Sequence, residues 1–130
     1  MLNKEIISVS LPTLNLNDSV IQTLEMMDEF HVSQLPVVDN GKYLGLVFEE
    51  DLMNLPADSL LQAAGERLSK VAVRAESHFI EAIQMANDYH LSVVPVIEQE
   101  GEYTGAISAT DLLHHLGKLT GASEPGAIIV

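Results

Sequence analysis

FHVSQLPVVDNGKYLGLVFEEDL, Phe30 to Leu52, is written a second time as YHLSVVPVIEQEGEYTGAISATDL, Tyr89 to Leu112. His31 lies over His90, 59 positions on, and at the same shift Ser33 meets Ser92, Pro36 meets Pro95 and Val37 meets Val96. One extra residue in the second turn resets the register, after which Gly41 meets Gly101, Tyr43 meets Tyr103, Gly45 meets Gly105, Asp51 meets Asp111 and Leu52 meets Leu112. Ile21 over Ile80 and Met26 over Met85 carry the match upstream. A repeat of this length decides the architecture, because each copy is one supersecondary unit that buries its apolar surface against the other.

Within each copy the hydrophobic period changes from helical to extended. Val20, Ile21, Leu24, Met27 and Phe30 recur at helical spacing behind Asn17 or Asp18, which predict the N-cap. Phe79, Ile80, Ile83, Ala86 and Tyr89 repeat the pattern behind Ser77, with all five expected to face inward. LPVV and VPVI are short, continuously apolar and β-branched, the mark of buried strands. The turns DNGK and EQEGE join them to second strands over Tyr43 to Phe48 and Tyr103 to Ser108. A second helix follows in each copy, EEDLMNL and ATDLLHHL, the latter expected to stop at Gly117. With TLNL and VAVR as lead-in strands, each unit reads β-α-β-β-α, and Pro56 to Ser69 predicts a short linking helix opened by Asp58.

The expected fold class is therefore α+β, two such motifs packed as a pseudo-two-fold pair. Residues 1–59 would form the first motif with its lead-in strand, 60–117 the linking helix and second motif, and 118–130 a tail. The tail closes on the apolar run of SEPGAIIV, which predicts continuation into a downstream output region.

Composition narrows the function. The chain has 130 residues, 6 Lys and Arg against 19 Asp and Glu, and a net charge of −13. Nucleic-acid binding is excluded on that balance, since it needs clustered cations, and an anionic membrane surface is disfavoured for the same reason. With no cysteine there is neither a disulfide framework nor a zinc–thiolate site. MLNKEIISVS lacks the apolar run of a signal peptide, and no stretch approaches the ~18 residues of a membrane span, so a cytoplasmic location is expected.

The chemistry concentrates in GAISATD, Gly105 to Asp111. A strand ends near Ser108 and a helix begins at Ala109 or Thr110, presenting backbone N–H groups and the positive end of the helix dipole to an anion. Ser108 adds a hydroxyl, and Asp111 lies on the same face one turn in. A carboxylate there can accept from both hydroxyls of a ribose, in charge-assisted bonds worth about 1.5–3 kcal/mol each. The first copy departs from this: Phe48 replaces the hydroxyl, and Glu49 and Glu50 precede Asp51, favouring the helix but repelling a phosphate. His31 and His90 read as helix ends where a cationic imidazole suits the dipole, and the adjacent His114 and His115 as a solvated helix end. Tyr43 and Tyr103 read as strand packing, Met26, Met27 and Met85 as core, and Glu98, Glu100 and Glu102 as a solvated acidic turn.

The apolar-Pro-Val pairs at Leu35-Pro36-Val37 and Val94-Pro95-Val96, with the frames Gly45 to Leu52 and Gly105 to Leu112, resemble the CBS domain family, whose motifs occur as tandem pairs, or Bateman modules. The resemblance spans roughly residues 7 to 117. It implies clefts that bind adenosine derivatives such as AMP, ATP or S-adenosylmethionine as regulatory ligands, with no required cofactor. By that likeness Asp111 would hold the ribose, Ser108 and Thr110 would sit by the phosphate, Val93 and Val94 would flank the adenine, and Arg74 would partner the phosphate. A weaker second site would use Asp51 and Leu35. The resemblance further implies a disc-shaped homodimer of four motifs. Two readings follow: a non-catalytic sensor that biases an attached or partner domain, or a dimerisation and interaction module with a vestigial nucleotide site. A catalytic reading finds no His pair at ligand spacing on one face, no nucleophile with an evident base and no phosphate loop.

Overall fold

The computed structural model describes residues 1–120, with side chains through Lys118, so most of the predicted tail lies outside the described residues. In the first half, α1 (Val20–Phe30) leads into the hairpin of β1 (Gln34–Asp39) and β2 (Lys42–Phe48) and then α2 (Glu49–Leu52). In the second, β3 (Val73–Arg74) precedes α3 (Ile80–Tyr89), the hairpin of β4 (Val93–Ile97) and β5 (Tyr103–Ser108), and α4 (Ala109–Thr120). The α+β pair of repeated motifs expected from the sequence is the observed architecture.

The hairpins form because each repeat supplies the backbone its turn requires. Asp39 pairs with Lys42 across a two-residue turn in which Asn40 and Gly41 take φ of 48° and 79°, the left-handed pair that suits a twisted hairpin. Both hairpins carry a register shift at the same place, between Val37 and Val38 and between Val96 and Ile97, which leaves Leu44 and Thr104 as the extra residues beside Gly45 and Gly105. The lead-in strands are shorter than predicted. VAVR keeps only Val73–Arg74, parallel to β4, and TLNL keeps a single parallel bridge, Leu14 to Val37.

Two apolar cores result, and each borrows from the other half. Phe79, Ala82, Val94, Val96 and Ile107 bury Leu46 of the first motif, while Val20, Met27, Leu35, Val37 and Leu52 bury Val93 and Ala106 of the second. Packing does not follow chain order either. Residues 1–8 lie on the second motif, with Ile6 in its core and Leu2 bridged to His78, whereas Leu60 and Leu61 bond back to Ser19 and Asp18. At the centre the hairpin tips exchange backbone bonds, Tyr43 N–H to the Gly101 carbonyl and Tyr103 N–H to that of Gly41, and the two tyrosine rings stack at 6.4 Å.

Several local expectations are corrected. Ser19, not Asn17 or Asp18, caps α1 by accepting from Gln22 N–H, because the Asp18 carboxylate is turned back to Asn15 N–H. Ser77 does not cap α3; the Nδ1 of His78 accepts from Ile80 N–H instead. Ile21, Ile80 and Tyr89 face outward. Gly117 lies within α4 rather than ending it, since the helix runs on to Thr120. The linker forms a 3₁₀ helix over Leu61–Arg67 with no side-chain cap from Asp58.

Candidate functional site

Each half folds its strand end and helix start over the partner's first helix, giving two clefts related by the pseudo-two-fold. The second-motif cleft, about 460 Å³, is lined by Ser108, Ala109, Thr110 and Asp111, by Ser92, by the α1 end at Phe30 to Val32, and by the lead-in from Ser8 to Leu11. Its counterpart, about 310 Å³, is lined by Ser33, Gln34, Phe48, Glu49, Glu50, Tyr89 and His90. Both volumes fall within the range of small-molecule sites. The α1 and α3 ends that border the clefts are set by His31 and His90, which take φ of 56° and 55° as left-handed C-caps. The repeated histidine thus marks a backbone conformation.

Ser108 caps α4, its Oγ accepting from Asp111 N–H at 3.1 Å, which fixes the hydroxyl and the carboxylate side by side on the first turn. Ala109 N–H is taken by the Ser92 carbonyl at 2.9 Å. Sequence reasoning missed the next member: Ser8 Oγ donates to Asp111 Oδ2 and accepts from Ser108 N–H at 2.9 Å. Three groups at the mouth of α4 are therefore already paired, and the carboxylate that resembles a ribose acceptor holds a hydroxyl of this same chain.

The other predicted residues are dispersed. Thr110 is exposed and lines the cleft. Val93 and Val94 are fully buried with their side chains in opposite cores, so Ser92 borders the cleft in their place. Arg74 is not brought to the site. It pairs with Ile97, at the end of β4 remote from Ser108, in a shallow pocket with Glu76 and Glu98. None of the lining residues of the second-motif cleft is Lys or Arg. In the first half Asp51 is half-buried and Leu35 is fully buried in the core. Phe48 packs against the second-motif core from the position that Ser108 holds in the other half, and α2, uncapped, is only four residues long. The carbonyl of Ser33 takes Glu49 N–H as that of Ser92 takes Ala109 N–H, so the frames superpose while their chemistry differs. His115 is half-buried, and its Nδ1 has no hydrogen-bond partner among the described residues, which corrects the solvated reading for that ring.

The family model of the CBS domain matches twice, over residues 4–58 and 67–118. The chain belongs to the CBS domain family. It is 29% identical over 136 residues to a CBS domain-containing protein of Dictyostelium discoideum, covering 92% of this chain and 93% of that one. It is also 28% identical over 102 residues to the inosine-5′-monophosphate dehydrogenase of Korarchaeum cryptofilum, covering 78% of this chain but only 21% of that one. Among solved structures, a CBS domain pair/ACT domain protein from Thermotoga maritima shares the fold with a TM-score of 0.79 at 24% identity, over 92% of this chain and 98% of that chain. Pairs of this family are regulatory modules. Among the described residues no helix is long and apolar enough to cross a membrane.

Proposed function

We propose that this chain is a ligand sensor: an adenosyl ligand binds the second-motif cleft and biases an attached or partner domain. The observation that carries the reading is the fixed pair of Ser108 and Asp111 at the start of α4; in the other half Asp51 keeps the carboxylate, but Phe48 takes the place of Ser108, and Glu49 and Glu50 take those of Ala109 and Thr110. Adenosyl compounds occupy other pairs of this fold: CBSX2 is solved with AMP, the pair of protein MJ0100 with 5′-methylthioadenosine and S-adenosylmethionine, and the cytosolic domain of MgtE with ATP. A cleft lined by Asp111 and without Lys or Arg favours AMP or the cationic S-adenosylmethionine over ATP, whose extra charge would go uncompensated. Ligand acts on the output only through unequal affinity for two arrangements of the pair.

Pseudo-symmetric exposure supports a homodimer. Ile21 and Ile80 are 48% and 52% exposed, and Met53 and Leu113 are 71% and 69% exposed, so both halves offer matching apolar positions to a second copy. A second functional reading, a dimerisation and interaction module with a vestigial site, is favoured by the Ser8 hydroxyl on Asp111. Calorimetric titration with AMP, ATP and S-adenosylmethionine, beside Asp111→Ala, separates the two. Saturable binding lost in the variant supports the sensor; a persistent dimer that binds none of the three supports the interaction module.

A further inference from the structure

Of the lead-in residues that line the cleft, Ser8 is the one whose side chain bonds the start of α4, and those bonds make it more than a lining residue. Its single hydroxyl proton goes to Asp111 Oδ2, the charged acceptor, while its oxygen takes Ser108 N–H at 2.9 Å; the Ser108 hydroxyl stands 3.5 Å away. One serine thus satisfies the acceptor and a donor that a ribose hydroxyl would otherwise engage. We propose that Ser8 is a competitor built into the cleft, so that a vicinal diol gains Asp111 only by turning the Ser8 hydroxyl away, which sets both the affinity and the preference for ribonucleosides. This rests on the adenosyl reading above.

The chain around Ser8 is arranged for such an exchange. Ile7 packs over Gly105, and Ser8 N–H is held by the Ala106 carbonyl at 2.8 Å, which anchors the segment on the site's own strand. Leu14 is anchored on β1 through bonds with Pro36 and Val38. Between these anchors, among the described residues, the backbone of Val9 to Thr13 makes no hydrogen bond, and Val9 is 99% exposed. The side chain can therefore turn with little disturbance of the sheet. The other half supplies an internal control. Ser69, which bonds Leu46 as Ser8 bonds Ala106, gives its hydroxyl oxygen to Val71 N–H instead, because Phe48 stands where the serine partner would be. A hydroxyl over the helix mouth is thus a property of the half that keeps Ser108. The exchange favours a ligand with two adjacent hydroxyls, since a lone hydroxyl merely replaces the one it displaces while a diol adds a second bond.

The test is calorimetric titration of the full chain with AMP, comparing wild type, Ser8→Ala and Ser8→Thr, together with the melting temperatures of Ser8→Ala, Asp111→Ala and the double variant. Removal of the competing hydroxyl is expected to tighten AMP roughly tenfold, the value of one charge-assisted bond, and Ser8→Thr to restore wild-type affinity. The two substitutions are expected to lower melting less together than the sum of each alone, since both break one contact. Unchanged or weaker AMP binding by Ser8→Ala, with wild type binding, overturns the competition and leaves the sensor standing. Strictly additive melting shifts overturn it whether or not AMP binds. Failure of wild type and every variant to bind AMP overturns the competition, and failure to bind S-adenosylmethionine and ATP as well overturns the adenosyl reading itself.

Discussion

At the residue scale, the repeated glycines carry the most demanding constraint. Gly45 and Gly105 have φ of 151° and 155°, and each lies at the register shift of its hairpin with another chain segment pressed against it. A Cβ on Gly45 would lie 2.7 Å from Leu68 Cβ and 3.1 Å from the Ser69 carbonyl, whereas one on Gly105 would meet the Ile7 side chain at 2.5 Å. Both alanine variants are expected to lose stability, by about 1–3 kcal/mol, with Gly45→Ala the worse because its obstacles are held by backbone bonds while Ile7 can turn. Denaturant titration checks the order, and a smaller loss at Gly45 would contradict this account. These glycines were legible because the repeat displayed them twice. His31 and His90 were equally visible as repeats, but their left-handed backbone was not, since glycine or asparagine is the usual sign of that cap. Ser8 was hidden for a different reason. It stands six positions before Leu14, whereas Ser69 stands four before Val73, so the shift that aligned the motifs passed over their equivalence.

At the scale of elements, the paired hairpins explain why the halves cohere. Tyr43 donates its hydroxyl to the Val71 carbonyl at 2.6 Å, and burial raises its pKa well above the ordinary 10.0, with Tyr103 a lesser contributor. Burial pushes Tyr103 up to about 12. The unfolded chain therefore releases these phenolic protons near pH 10 while the fold still holds them, so the stabilisation is complete below pH 10 and is lost as pH rises through the folded values. Melting temperature is expected to fall more steeply above pH 10 in wild type than in Tyr103→Phe or Tyr43→Phe, and parallel alkaline profiles would refute the link. Element types and strand positions followed from the changing hydrophobic period. Their ends did not: one glycine, Gly117, costs α4 only about 1 kcal/mol, too little to stop it, and α2 is short with no cap from Phe48.

At the scale of the molecule, the pair was legible because a tandem repeat leaves each motif an apolar face that only its twin can cover. The exchange of Leu46 for Val93 and Ala106 between the cores was not, since contiguous sequence carries no mark of which half a side chain will enter. The matched exposure of Ile80 with Ile21 and Leu113 with Met53 predicts a two-fold dimer at micromolar concentration by sedimentation, and its dissociation by Leu113→Glu. A wild type that sediments only as monomer would refute it. The site was half legible: Ser108 and Asp111 stand together as their spacing required, while Arg74 was drawn in by its charge although its strand delivers it to the far end of the sheet. Titration of AMP into wild type and Asp111→Ala in one calorimetric series decides whether the second-motif cleft is a ligand site held by Asp111. Saturable binding by wild type, abolished in the variant and accompanied at a hundredfold excess over Kd by a gain of ~2.7 kcal/mol in stability, is the predicted result. Equal heats in the two proteins, or none at millimolar AMP, would contradict it.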